Sequence, residues 1–175
     1  MTEHNPQEPK VKKSWGARIR SFAIYVLLAL ALGWGVDIWR AQSIASGKAP
    51  QLAATSVQGD KVDLIAMSQD KPVLVYFWAT WCSVCSFVSP SVDFVSGQMQ
   101  VVTVALNSGE NKRVQQYLGA KGYNFTVVND AKGEIGREWG ISLTPTIIVI
   151  NKGEVTSVTT GFTSPFGMWV RMLLS

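Results

Sequence analysis

From Gln51 onward, the apolar and polar positions change rhythm from strand to helix and back. "LAATSVQGDKVDLIAM" alternates on both sides of Gly59-Asp60 and predicts a hairpin. "KPVLVYFWA" follows a proline and is a nearly unbroken apolar run, as a strand covered on both faces requires. Val84, Val88, Val92 and Val95 then recur at helical spacing, with Phe87 and Phe94 broadening the stripe. "QVVTVALNS" predicts a second buried strand. "ENKRVQQYLGAKG" predicts a helix with Val114, Tyr117 and Leu118 on one face and a glycine near its end. "FTVVND" is a short strand and "AKGEIGREWG" a brief helix closed by Gly140. "TPTIIVINKGEVTSVTTG" gives two strands joined at Asn151-Lys152-Gly153. Ser164-Pro165 opens a last helix with proline in its first turn, and Phe166, Trp169, Val170 and Leu173 supply its expected buried stripe.

The predicted order is β-β-β-α-β-α-β-α-β-β-α. Strands alternating with helices and closing on a hairpin imply an α/β fold: a mixed sheet flanked by helices on both faces, with the first hairpin as an extension. No internal repeat interrupts this order.

Upstream of Gln51 the pattern is different. Phe22 to Val36 is a single apolar run, and the 16 residues between Arg20 and Asp37 carry no charge. A bilayer span takes about 20 residues. Arg20 can snorkel, and Ile38 and Trp39 extend the apolar face. Lys10, Lys12, Lys13, Arg18 and Arg20 precede the run, whereas only Arg40 and Lys48 follow closely. This asymmetry puts the N-terminus in the cytoplasm and the rest outside. The expected organisation is a basic cytoplasmic tail (1–20), a transmembrane anchor (21–39), a linker (40–50) and a globular domain (51–175). A cleaved signal peptide ending near Ala45-Ser46-Gly47 is the competing reading, and it also exports the domain.

Charge narrows the function. The chain carries a net +4, but residues 50–175 hold nine basic and nine acidic residues, so the excess lies beside the apolar run. A nucleic-acid binder would carry it on the folded domain, so no nucleic-acid partner is expected. The lone histidine, His4, lies in the polar tail.

The only two cysteines, Cys82 and Cys85, allow three readings. As a structural staple they would close a very short loop, which adds little stability. As a zinc site they supply two of four ligands, although two thiolates can hold Cu(I). As a redox pair they are well placed. Cys82 falls where a buried strand meets a helix, so the helix's unpaired amides and positive end favour its thiolate. Cys85, one turn on, can resolve a mixed disulfide. An exported compartment offers substrates for such exchange.

"FWATWCSVC", then Pro90, then "LTPTIIVI" about 60 residues later resemble the thioredoxin superfamily. The leading hairpin and the apolar N-terminal run resemble its TlpA-like, membrane-anchored exported branch, and within it the suppressor-of-copper-sensitivity protein D group of Gram-negative bacteria. The resemblance implies a thioredoxin-like fold over residues 51–175. It makes Cys82 the nucleophile, Cys85 the resolving cysteine, and Pro145 the proline with a cis bond before it. It makes Thr144 the residue whose backbone pairs with an extended substrate. It sets Trp81 beside the thiols, Trp78 packed behind them, and Pro90 as a helix kink. No metal and no cofactor beyond the redox-active Cys82–Cys85 disulfide are implied.

Departures from the family pattern matter too. Ser83-Val84 lies between the cysteines. Tyr76 stands where the cytosolic reductase type has a buried aspartate, which leaves the base for Cys85 open; a water or a substrate group could serve. Ser86 replaces a common lysine, and Leu143-Thr144 replaces Gly-Ile. The resulting expectation is a periplasmic thiol-disulfide oxidoreductase, single-pass in the bacterial inner membrane, that acts on protein thiols and disulfides. A membrane thiol-electron transporter is its expected donor, with a link to copper tolerance. A Cu(I)-binding module using the same thiolates and a reductant for cytochrome c maturation are the alternatives.

Overall fold

The structure is a computed structural model that describes residues 20–22, 24–28 and 47–175. The chain divides into two units, Met1–Ile38 and Trp39–Ser175. In the first, residues 20–22 and 24–28 are helical with exposed side chains. Most of the expected anchor over 21–39 lies outside the described residues. Among the described residues no helix is long and apolar enough to cross a membrane.

The second unit is built on a six-stranded sheet in the order β1-β8-β7-β4-β5-β6. These strands are β1 (Gly47–Lys48), β4 (Val73–Trp78), β5 (Val101–Leu106), β6 (Thr126–Asp130), β7 (Thr146–Asn151) and β8 (Glu154–Thr160). β4, β5 and β6 are parallel. β7 runs antiparallel to β4, and β8 antiparallel to β7. β4 and β5 are buried along their whole length, as unbroken apolar runs require. Alternation splits β4 between two cores. Leu74, Tyr76 and Trp78 join Val88, Val92, Val114, Leu118 and Met168 on one face. Val73, Val75 and Phe77 join Leu64, Val102, Val104 and Trp139 on the other.

Five helices cover these faces: α1 (Leu64–Asp70), α2 (Cys85–Ser96), α3 (Asn111–Lys121), α4 (Glu134–Glu138) and α5 (Pro165–Leu173). α2, α3 and α5 supply the first core, and α1 and α4 the second. Gly122, at φ 70°, ends α3 and returns its N–H to Leu118 O and Gly119 O.

The expected hairpin exists as β2 (Ala53–Thr55) against β3 (Lys61–Asp63), but its second arm is cut short. Asp63 takes extended backbone angles and its carboxylate accepts from Ala66 N, so Leu64 starts a helix. The alternation Lys61-Val62-Asp63-Leu64 hid that cap. Ser68 at the end of α1 then holds the β7–β8 turn, accepting from Lys152 N through its carbonyl and from Gly153 N through its hydroxyl. Gly47 and Lys48, inside the expected linker, pair with Val155 and Glu154 of β8. At the opposite edge, Val57 N donates to Val127 O. The Gln58 side chain bonds both Phe125 O and Val127 N, so β6 presents no bare ladder there.

The expected valine stripe of α2 is buried at Val88, Val92 and Val95 but not at Val84, and the two phenylalanines expected to broaden it face outward; α5 carries its stripe in a different phase from the one expected. α2 buries Cys85, Val88, Ser89, Val92 and Val95, while Val84, Phe87 and Phe94 are exposed. Residues at i, i+3, i+4 and i+7 share a face, and Phe87 lies about 200° round from Cys85. α5 is apolar nearly all round. Met168 and Met172 take the sheet side, leaving Phe166, Trp169 and Leu173 exposed and Val170 half-buried.

Candidate active site

β4 ends at Trp78 and the chain turns through Ala79, Thr80 and Trp81, closed by Cys82 N donating to Ala79 O at 3.2 Å. Three residues later α2 begins at Cys85. This strand–turn–helix junction brings the two cysteines to a Cα separation of 5.3 Å, joined by a disulfide. Their environments differ. Cys82 keeps 9% of its surface exposed, whereas Cys85 keeps none. The Cys85 amide points back at Cys82 Sγ at 3.1 Å. A sulfur so placed is stabilised as a thiolate by an unpaired amide at a helix start. Pro90 sits inside α2 on its exposed side, where it has no N–H to give the helix.

The two tryptophans differ in burial. Trp78 is fully buried; its indole donates to Thr103 Oγ1 at 3.1 Å and its ring meets Tyr76, Tyr117 and Phe125. Trp81 is exposed, and its indole donates to Asn107 O at 3.1 Å. That carbonyl belongs to a loop whose first two residues, Asn107 and Ser108, were expected in the strand, which ends instead at Leu106. Asn107 lies in the left-handed region at φ 45°. Ser108, buried beside it, accepts from Thr80 N at 3.0 Å and donates to Leu106 O at 3.0 Å. The turn before Cys82 is thus pinned to the end of β5. Asn-Ser-Gly after a buried strand was the available signal, since asparagine and glycine tolerate positive φ.

Thr144–Pro145 is cis and leads into β7. Pro145 is buried and its carbonyl accepts from Gly161 N at 2.8 Å. Thr144 is half-buried, and among the described residues its backbone has no hydrogen-bond partner. A cavity of about 400 Å³ opens between Trp81, Leu106 and Asn107 on one side and Ile141–Thr144 on the other. Apolar walls beside an unpaired backbone suit an extended peptide.

Behind Cys85, Tyr76 is fully buried, and its hydroxyl meets Ser89 Oγ at 3.1 Å and Cys85 O at 3.5 Å. Burial pushes the phenol well above its usual range, and the Ser89 bond offsets this only in part. Tyr76 therefore keeps its proton near neutral pH and is no base. Among the described residues, no group of three or more His, Cys, Asp or Glu is placed to hold a metal ion.

The Redoxin family matches residues 44–165. A thioredoxin-like protein of Haemophilus influenzae is 42% identical, covering 71% of this chain and 75% of its own. The thiol-disulfide oxidoreductase ResA of Bacillus subtilis is 32% identical, covering 78% of this chain and 82% of its own. Among solved structures, a thiol:disulfide interchange protein of the thioredoxin family from Chlorobium tepidum superposes with a TM-score of 0.64 at 25% identity, covering 74% of this chain and 96% of that one.

Proposed function

Because this chain belongs to the Redoxin family of thioredoxin-like thiol-disulfide oxidoreductases, we propose that it works as an exported, membrane-tethered reductase of protein disulfides. The unequal burial of the two sulfurs carries this reading: Cys82 is reachable and faces a helix amide, while Cys85 waits fully enclosed. In the reduced protein the Cys82 thiolate attacks a substrate disulfide, forms a mixed disulfide and expels one substrate thiolate. Cys85 then attacks Cys82 Sγ, closing the disulfide and expelling the second. Tyr76 holds its own proton, so the departing substrate thiolate or a water takes the one from Cys85. Thr144 pairs with the substrate backbone, and Trp81 walls the cavity beside it. Trp78 and Pro90 shape the scaffold behind the sulfurs. No cofactor beyond the Cys82–Cys85 disulfide is used.

Residues 21–39 serve as a single inner-membrane span with the catalytic domain in the periplasm, and a membrane thiol-electron transporter re-reduces the disulfide. The apolar run and the basic residues before it support this placement. A tether raises the local concentration of such a donor. The link to copper tolerance rests on the subgroup resemblance alone. Titrating reduced protein against a Cu(I) chelator separates metal binding from disulfide chemistry.

Trapping tests the roles. Cys85→Ala should accumulate mixed disulfides with exported proteins on non-reducing gels, and Cys82→Ala should not. Equal trapping by both variants would remove the assignment.

A further inference from the structure

α5 carries two apolar stripes, and the sheet uses only one. Met168 and Met172 are buried and join the core formed with α2 and α3. Phe166, Trp169 and Leu173 stand at i, i+3 and i+7, which keeps them together on one side of a helix. That side faces solvent: the three residues are between 45% and 71% exposed, and Leu174, just past the helix, is 82% exposed. The rings of Phe166 and Trp169 lie 6.4 Å apart. Phe94, near the end of α2, is exposed beside them. A cleft of about 290 Å³ joins the two helices, with Phe94 and Met99 on one wall and Pro165, Phe166 and Trp169 on the other. Phe94 comes nine residues after Cys85, about 14 Å along the helix axis, so this surface is separate from the one around the sulfurs.

Little charge borders the cleft. Arg171 is the only charged side chain between residues 155 and 175; it is half-buried, with Nη1 donating to Gly167 O at 3.4 Å. Asp93, the only charged side chain of α2, is turned toward the β6 side, where its carboxylate accepts from Asn124 N and Phe125 N. No acidic side chain of either helix therefore faces the cleft. Large aromatic side chains carry about 150–250 Å² each, so three of them, partly covered, make with the two leucines an apolar surface on the order of 500 Å². Patches of about 300–600 Å² are the largest on ordinary monomers and are often functional. The area falls short of the roughly 800 Å² that each partner gives to a stable protein interface, so a second copy packed on this face alone makes no lasting dimer. A lipid interface has no such threshold. Helices with Trp, Phe and Leu on one side sink about 5–10 Å into the headgroup and acyl boundary, and the one charge here, Arg171, has the sign that headgroup phosphates attract.

We propose that the α2–α5 face rests on the lipid interface, so that the catalytic domain holds the bilayer by a non-covalent contact of its own. The proposal rests on the tethered reading above and adds which face of the domain meets lipid. Chain length supplies the encounter. Seven residues, 40–46, separate the expected anchor from β1, and seven residues reach at most about 25 Å. That is less than the width of a domain of about 125 residues, whose radius of gyration is about 14 Å. The bilayer is thus always within reach, and a face of modest affinity is occupied because the local concentration of lipid is high. The contact is separate from thiol exchange and uses neither sulfur. With this face on the lipid, the cysteines at the start of α2 lie at the edge of the contact, and substrate disulfides are met close to the bilayer surface.

The test uses the full chain in phosphatidylcholine vesicles, diluted in lipid so that copies seldom meet, with and without phosphatidylcholine that carries a nitroxide on its acyl chain near the headgroup. Trp169 emission is obtained by subtracting the emission of the Trp169→Phe protein. The nitroxide should quench it at least about 2-fold. In the Phe166→Ser/Leu173→Ser double variant, the quenching should shrink to less than about a quarter of the wild-type value. Both positions are exposed, and in detergent the variant should keep its circular dichroism and reduce insulin within about 2-fold of the wild-type rate. Unquenched Trp169 would overturn the proposal, as would quenching that the double variant retains in full. Burial of Trp169 that grows with chain density and without quenching would assign the face to a second copy and overturn it too. An alkaline carbonate wash reads the tether separately. A chain that washes off fails the tethered reading, whereas a retained chain with Trp169 unquenched fails this proposal alone.

Discussion

Ser108→Ala should loosen the turn that carries the nucleophile. The Ser108 hydroxyl is buried and makes two bonds of 3.0 Å, accepting from Thr80 N and donating to Leu106 O. Alanine removes both and leaves the Thr80 amide, on a half-buried residue, without its partner. A buried donor left unpaired costs about 1–3 kcal/mol. Partial access of water to Thr80 brings the expected loss to the lower half of that range, about 1–2 kcal/mol. For a domain of this size each kcal/mol lowers Tm by roughly 3–5 °C. Thr80 immediately precedes Trp81 and Cys82, so the loss should reach the chemistry. Insulin-disulfide reduction should slow by about 3–10-fold, since small misplacements of reacting groups are expensive. Reaction with dithiothreitol, which needs no peptide register, should slow by less than about 2-fold. Urea unfolding of the oxidised protein gives the first number and insulin turbidity the second. A stability change under about 0.5 kcal/mol, with insulin reduction unchanged, would refute the claim that Ser108 holds the turn.

Gly133→Ala should displace the neighbouring loop: at φ 70° a new Cβ would lie 2.8 Å from Asn107 Oδ1. The backbone strain costs about 1–2 kcal/mol, and a changed Trp81 emission, obtained by subtracting the emission of the Trp81→Phe protein, would report the lost hold of Asn107 O on the indole. Met168→Ala should cost about 2–5 kcal/mol by chemical denaturation, whereas Phe166→Ala should stay within about 0.5 kcal/mol; the reverse order would put α5 back in the phase its sequence suggested. Tyr76 gives a pH signature. Its folded pKa is raised above the unfolded value of about 10, so its contribution is fully present below that pH and is lost as pH rises toward the folded value. Tyr76→Phe should therefore lose less stability than wild type above about pH 10, read by urea midpoints across a pH series in a Cys82→Ser/Cys85→Ser background.

Much of the scaffold was legible because its signals were local. β4 and β5 announced themselves as unbroken apolar runs, and the turn glycines marked ends that the backbone does use, as at Gly122, Gly140 and Gly153. The cysteine spacing placed two sulfurs within bonding reach across one helical turn. What escaped was set by tertiary choice. An all-apolar helix such as α5 has more than one face able to meet a sheet, and composition does not say whether Met168 or Trp169 turns inward. Phe87 and Phe94 read as core because they are large and apolar, yet Cys85 fixes the phase of α2 and turns them out. Asp63 was a cap hidden in an alternating stretch. Ser108 and Asn107 bond across 26 residues or more of sequence to the active-site turn, and no periodicity reports such a bond.

The central claim concerns the unequal chemistry of two sulfurs one turn apart. Site-resolved alkylation of the reduced protein by iodoacetamide across a pH series, read by mass spectrometry, tests it most directly. Cys82 should react already near pH 7, with its titration below the ordinary thiol value of about 8.5, while Cys85 stays protected. Cys85 reacting first, or both sulfurs staying inert until alkaline pH, would contradict the account.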